Sequence, residues 1–454
     1  MIQTLLVAMP GVLALIVCLR WGPERALLNV YLPVLLLLPE YPWPLSGQFS
    51  FADLAILPIA AFLLYQSKLD WKWNSIDFVV IGYMLLTAIA EGMTKGYKEG
   101  TQNMLLQDLF RILLPYLVAK QMFRHPQFAV DAAKRIAVLL AIVAIVSVYE
   151  FRMGSDLFTH FLSQYFYTAG VVFRGGFMRT AGPYGHAIAL GIMMAFGFRI
   201  ARWLEWTGEW NDRMLFLPIS KIRFCELWIV AGSIMSLSLG PWMGAACGAV
   251  AVSVLRARNR KRAILSLVLA VGLFGVPSFT AFKRYISVDP AAARAAGDRI
   301  QEDSAYRNLL IPLYIPVVKE RATWGWGRNE FPVVNGMSSI DNAYLLIALM
   351  WGVYVLGMFV ALCIWPPIRL AIYSLPLRRD DPRAIAAFSL IGIFILNAFE
   401  NFEGSGGGIP WRFLFLVAGW STALLSQTVP QVVEVKAAKA LPRTRQVGFR
   451  RVMV

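Results

Sequence analysis

Charge is scarce in this 454-residue chain. Asp, Glu, Lys and Arg make up 15% of it, where a soluble domain carries about a quarter. An ordinary soluble enzyme is thereby excluded. Cysteine and histidine are scarce as well. The four cysteines, Cys18, Cys225, Cys247 and Cys363, fall inside or beside apolar segments and form neither a disulfide framework nor a metal-type spacing. The histidines, His125, His160 and His186, are scattered. No Asp-x-Asp pair lies in a connection expected to be external, and Asp380-Asp381 sits in a basic connection between Arg379 and Arg383. A Gly-x-x-x-x-Gly-Lys loop is lacking too, so neither a metal site nor a cofactor nor nucleotide-driven chemistry is expected. Met1 to Leu19 has no basic n-region and no clear small-residue cleavage site, and reads as a first membrane span.

What the chain has is apolar sequence, 58% of all residues. Runs of roughly 18 residues or more recur from end to end, each able to cross a ~30 Å hydrocarbon core. The expected fold is an all-α polytopic membrane protein with 12 or 13 transmembrane helices in one domain. Candidate spans are 2–19, 26–39, 51–66, 77–92, 104–122, 136–150, 184–202, 222–239, 241–255, 262–280, 342–365, 384–400 and 411–427. The second is short enough to be re-entrant. The eighth and ninth meet at Gly240-Pro241 as a tight hairpin.

The net charge of +16 raises nucleic acid as a partner, but its distribution excludes one: basic residues cluster in short connections, as the positive-inside rule expects of cytoplasmic loops. Alternate connections with the tail 430–454 hold 28 Lys and Arg; the opposite face holds 14, of which 8 lie in the long connection 281–341. The richer side, marked by Arg256, Arg258, Arg260, Lys261 and Arg262, is expected to be cytoplasmic, with the tail as an anchor on the membrane surface. The glycine-rich and polar features then share the other face. They are the loop 151–183, the Gly240-Pro241 hairpin, the connection 281–341 and the segment Glu400–Arg412. Within 281–341, Ser304 can cap a helix with Tyr306, Leu309, Leu310, Leu313, Tyr314 and Val317 at helical spacing, expected to lie along the membrane. The aromatic turn 323–331 follows it.

The candidate chemistry begins with FRGGFMRTAGPYGHAIALG, residues 173–191. Arg174 and Arg179 offer guanidinium forks suited to phosphate oxygens, and neighbouring glycines let backbone N–H groups approach an anion. The competing reading has them touch lipid headgroups or cap the following helix. Arg179 stands close to Gly182, Pro183, Gly185 and His186 at a helix start, which also favours anions. His186 is either a proton carrier or a polar helix-start residue. Asp341 is either an N-cap or a general base at the mouth of a cavity. Glu400 and Glu403 read as either a second carboxylate pair or a solvated loop; the loop is preferred for Glu403, while Glu400 is left open and kept as a candidate substrate contact. Arg111, inside a span, has Asp108 one turn away as its expected ion-pair partner. Trp242, Trp324, Trp326 and Trp411 suit an aromatic belt, with sugar stacking as the other reading.

Four stretches together resemble the O-antigen ligase and polysaccharide polymerase family of bacterial inner membranes. RTAGPYGHAIALG (179–191) is similar to its Arg-x-x-Gly segment and SLSLGPWMGAACG (236–248) to its Ser-Arg-Gly hairpin. GWGRNEF (325–331) is similar to its Gly-x-Gly turn, and IDNAYLLIALMWGVYVLG (340–357) to its His/Asp-Asn helix start. They occur in family order. The resemblance implies a metal-independent glycosyltransferase that takes glycan from an undecaprenyl-pyrophosphate carrier and passes it to a glycan or lipid acceptor at the external membrane face. Arginines hold the pyrophosphate, and the His/Asp residue assists the acceptor hydroxyl. Arg179 matches the first arginine, with Arg174 nearby, and Asp341 matches the His/Asp position.

Two departures stand out. The hairpin arginine is Leu239 here, which leaves Arg174, Arg328 or Arg412 as replacements and keeps a catalytically inactive relative in view. Aspartate in place of the histidine of ligases points to the polymerase branch. An O-antigen ligase and a transporter or flippase of lipid-linked or anionic substrates are the alternatives; the one-sided polar set and the lack of repeats favour the enzyme over the transporter.

Overall fold

Helices occupy all thirteen apolar segments in the computed structural model, which describes residues 2–40, 49–66, 72–162, 172–214, 217–328, 330–337, 339–404 and 407–427. The basic tail 430–454 therefore lies outside the described residues. We number the helices in chain order: α1 (Ile2–Trp21), α2 (residues 23–37), α3 (Phe51–Tyr65), α4 (Ser75–Gly96), α5 (residues 97–122), α6 (Pro126–Met153) and α7 (Leu157–Leu162). A small hairpin, β1 (Val172–Arg174) and β2 (Phe177–Arg179), precedes α8 (Ala187–Thr207), α9 (Lys221–Met235), α10 (Leu239–Arg256) and α11 (Arg260–Ile286). Then come α12 (Pro290–Ala295), α13 (Arg299–Glu320), α14 (residues 343–351), α15 (residues 353–374), α16 (Pro382–Glu403) and α17 (Gly408–Ser426).

Among the described residues, nine helical stretches are long and apolar enough to cross a membrane. The protein is a multi-pass membrane protein. One of the nine stretches, Ser75–Met122, is a hairpin. Gly96, at φ 79° and ψ 176°, turns the chain back. Thr87 Oγ1 then donates to Asp108 Oδ2 at 2.7 Å, which a continuous helix would hold about 30 Å apart. The stretch Ala343–Ser374 is likewise not one helix. Gly352, at φ 82° and ψ −178°, folds α14 against α15. The rings of Tyr344 and Phe359 consequently lie 5.7 Å apart, against about 22 Å along an unbroken helix. This corrects the expected span 342–365: α14 is a short arm, and the chain runs on through α15.

The Gly352 turn is held from outside. Backbone N–H groups of Trp326 and Gly327 donate to the carbonyls of Leu349 and Met350 at 2.8 and 2.9 Å, and Val353 donates to Ala322 at 2.7 Å. The aromatic glycine turn thus caps the end of α14. The α13 part of the connection 281–341 is correspondingly packed against α14. Leu310, Tyr314 and Val317 of α13 are buried against Ile340, Leu345 and Leu349, so the chain itself covers the apolar stripe.

Helix burial grades outward. Most residues of the apolar stretches of α17 and α16 are buried, whereas none in that of α11 is. Connections meet in two groups. At one end Tyr184 bonds the Leu36 carbonyl, Lys95 the Arg328 carbonyl, and Arg412 pairs with Glu40. At the other, Lys120 bonds the Lys72 carbonyl, Gln427 the Arg124 carbonyl, and Arg260 the Leu375 carbonyl. The first end gathers the glycine-rich connections, as alternate crossings require.

Candidate functional site

The turn between α9 and α10 is the anchor of the site. It comprises Ser236, Leu237 and Ser238, with Leu237 at φ 46°. The hairpin bend therefore precedes Gly240-Pro241, which belong to the first turn of α10, where proline is tolerated. The β1–β2 ribbon lies on this turn. Thr180 N–H donates to the Met235 carbonyl at 3.4 Å, and Arg174 Nη1 to the Leu237 carbonyl at 3.0 Å. Arg179 donates through Nε to the Ser236 carbonyl at 3.4 Å and through Nη2 to Ser238 Oγ at 2.7 Å.

The two arginines differ in what they leave free. Arg174 Nη2 also pairs with Asp303 of α13 at 3.1 Å. Arg179 has no carboxylate partner, and its Nη1 makes no hydrogen bond among the described residues. Protein packed around its guanidinium and the charge of Arg174 push its pKa down to about 10, Asp303 offsetting and Arg307 adding. It remains cationic at neutral pH.

Helix α13 supplies a residue that sequence reasoning missed. One turn after Asp303, Arg307 donates through Nη1 to Glu403 Oε2 at 3.1 Å, and its Nη2 stands 3.7 Å from Asp341 Oδ2. Asp303 and Arg307, opposite charges one turn apart on the same face of α13, were the available signal. Arg307 joins α13, α14 and α16, and Glu403 is accordingly a paired residue in the last turn of α16, not a solvated loop residue. Asp341 accepts from Ser339 Oγ at 2.8 Å. It is not the N-cap: the neighbouring Asn342 caps α14, accepting from Leu345 N–H at 2.9 Å.

His186 stands in the same cluster, within the fields of Arg179, Asp341 and Arg307. Its Nδ1 accepts the Ile188 N–H at 3.2 Å, so it caps α8. That bond assigns the ring proton to Nε2. A neutral His186 can therefore donate a hydrogen bond outward from Nε2, and its place is that of the polar helix-start residue. Glu400, one turn before Glu403, is buried against α10.

Arg328 and Arg412 are not brought into this cluster. Arg412 is fully enclosed, bonding Asp53 Oδ1 and Glu40 Oε1 at 2.6 Å each. Two carboxylates already neutralise its charge, which argues against a role on a ligand phosphate. Arg328 Nη1 donates to Gln107 at 2.9 Å, and its backbone N–H and carbonyl bind Glu91 and Lys95. Its fixed role is in fastening the glycine turn to α4. Asp108 bonds Thr87, while Arg111 lies in the fields of Glu40 and Asp53. Leu239, at the family's arginine position, is an exposed residue opening α10. Among the described residues, no group of three or more His, Cys, Asp or Glu side chains is arranged to hold a metal ion.

No protein-family model matches the chain, and no curated protein matches it. The site is therefore argued from its own geometry. Arg174, Arg179, His186, Asp341 and Glu400, drawn from separate parts of the sequence, converge with Arg307 at the end of the helix bundle that carries the glycine-rich connections. A guanidinium with no carboxylate partner among the described residues, an outward imidazole N–H and two or more carboxyls together can bind an anionic group and move a proton beside it.

Proposed function

We propose that the protein is a membrane-embedded glycosyltransferase that moves or polymerises glycan from an undecaprenyl-pyrophosphate carrier, in surface polysaccharide synthesis at the periplasmic face of the bacterial inner membrane. A polysaccharide polymerase is the preferred form. The observation that carries the reading is Arg179: it is a cation with no carboxylate partner among the described residues, beside Asp341 and His186, on the two motifs that resemble the family. In the reaction, the bond between the anomeric carbon and the pyrophosphate oxygen breaks and its electron pair leaves on the phosphate. A fixed guanidinium at a water-poor interface stabilises that developing charge. The acceptor hydroxyl forms the new bond to the anomeric carbon, and its proton passes to a carboxylate of the cluster, for which the sequence singles out Asp341. Membrane lipids surround the carrier's polyprenyl chain, and α11, with no buried residue in its apolar stretch, is open to them.

Deletion tests the reading. Cells lacking this protein are expected to lose surface polysaccharide or its long-chain fraction, with complementation by the wild type but not by Arg179→Ala. Unchanged amount and chain-length profile would reject the assignment.

A further inference from the structure

Each carboxylate described above at this end of the bundle has a partner, with one exception. Asp303 is paired with Arg174, Asp341 is held by Ser339 and Arg307, and Glu403 is paired with Arg307. Glu400 is 3% exposed, and neither of its oxygens makes a hydrogen bond among the described residues. Isolated buried carboxyls are rare because nothing replaces the water they give up.

The surroundings are shaped to it. Gly240 and Gly244, one turn apart on α10, face Glu400. A Cβ at Gly244 would lie 2.7 Å from Oε1, and one at Gly240 would lie 3.3 Å from Oε2. Gly248, the next on that face, serves a different end: a Cβ there would stand 2.6 Å from the Gly392 carbonyl oxygen, so its absence brings α10 and α16 together. Helix packing alone accounts for Gly248. Gly240 and Gly244 in addition form a notch that holds a carboxyl.

Gly240 also locates the notch. It is two residues beyond Ser238, whose hydroxyl receives Arg179 at 2.7 Å. The arginine and the carboxyl thus approach one short turn from different elements. The stem of Glu403 covers the notch, its Cβ 3.2 Å from where a Gly240 Cβ would stand, and Arg307 holds Glu403 there.

We propose that Glu400, lodged in the Gly240–Gly244 notch, is the carboxylate that takes the proton from the acceptor hydroxyl, with Asp341 and Arg307 positioning the acceptor and covering the notch. This rests on the glycosyl-transfer reading. Opening of the notch admits water, to which the buried Glu400 carboxyl first gives up its own proton; the acceptor O–H bond then breaks, its proton goes to a Glu400 oxygen, the acceptor oxygen bonds the anomeric carbon, and the pyrophosphate leaves with the electron pair beside Arg179. Asp341 is the poorer candidate because its oxygens already accept from Ser339 and face Arg307. Glu400 has both oxygens free. Access requires Arg307 to release Glu403, and an incoming pyrophosphate competes for that guanidinium.

The test uses full-length protein in lipid nanodiscs with undecaprenyl-pyrophosphate-linked oligosaccharide as donor and acceptor, chain growth being followed by gel and mass spectrometry. Glu400→Gln is expected to lower kcat by about 100-fold or more, with the KM for donor within about threefold. Asp341→Asn should cost less. Glu400→Asp keeps the carboxyl on a shorter stem and should recover at least about tenfold over Gln. Equal losses in the Asp and Gln variants would assign Glu400 to packing and overturn the proposal. Near-normal kcat in Glu400→Gln, with Arg179→Ala inactive, would overturn it while leaving the transferase reading intact. A wild-type protein that elongates nothing would remove both.

Discussion

Gly352 offers the most direct test of how the site is built, because alanine there meets two separate obstacles. The first is conformational: φ 82° with ψ −178° is essentially glycine-only backbone, costing another residue about 1–3 kcal/mol. The second is steric. A Cβ would stand 2.5 Å from the Thr323 carbonyl carbon and 2.7 Å from the Ala322 carbonyl oxygen, both rigid backbone. The crossing turn must withdraw, and with it the hydrogen bonds of Trp326, Gly327 and Val353, each worth about 1 kcal/mol. Gly352→Ala should therefore cost roughly 4–6 kcal/mol in all. Gly96 supplies the control. It has nearly the same dihedrals, φ 79° and ψ 176°, but open space where its Cβ would be, so Gly96→Ala should cost only about 1–3 kcal/mol. Denaturant unfolding in detergent micelles measures both. Gly352→Ala should also increase proteolysis in 323–331 and impair transfer, since α14 hangs between that turn and Asp341. Equal destabilisation by the two alanines would refute the reasoning, because the crossing turn would then contribute nothing.

Other outcomes follow from the same geometry. Arg412→Ala leaves Asp53 buried and unpaired and should destabilise the protein by about 3–5 kcal/mol, read by unfolding, without a selective change in donor KM. Asn342→Ala should cost about 1 kcal/mol through loss of the α14 cap, whereas Asp341→Ala should spare stability and lower turnover. Surrounding protein and the Arg179 guanidinium push the pKa of His186, one residue ahead of its span, below the ordinary 6.5; Asp341 partly offsets this and Arg307 adds to it. The unfolded chain then binds the proton more readily. The His186 contribution is thus whole above pH 6.5 and lost as pH falls through the folded-state pKa. Melting temperatures measured from pH 7.5 to 5 should show that loss, and His186→Asn, which keeps an acceptor for the Ile188 N–H, should remove it.

The spans were legible because long apolar runs allow only helix in a membrane, and each expected segment is helical. The Gly352 turn was not, since a single glycine inside an apolar run is ordinarily tolerated by a helix. Its meaning lies in the 323–327 turn, which reaches it from elsewhere in the chain. Similar limits govern the site. Arg174, Arg179 and Asp341 stood out as charges beside glycine-rich helix starts. Arg307 did not, because its partners are 34 and 96 positions away along the chain. Arg412 looked available for phosphate because nothing local reveals Asp53 and Glu40 as its partners. At 341–342, two adjacent cap-forming residues competed for one position, and only the backbone geometry distinguishes them. What sequence supplies is the inventory of charges; which of them neutralise one another is settled by packing.

The central claim is that Arg179 stabilises a departing pyrophosphate. Purified full-length protein, incubated with an undecaprenyl-pyrophosphate-linked oligosaccharide, should release undecaprenyl pyrophosphate in step with each new glycosidic bond. Arg179→Ala should slow that release by about 100- to 1,000-fold, the range for loss of one preorganised donor to a developing anion. No release from the wild type, or undiminished release from Arg179→Ala, would contradict the account.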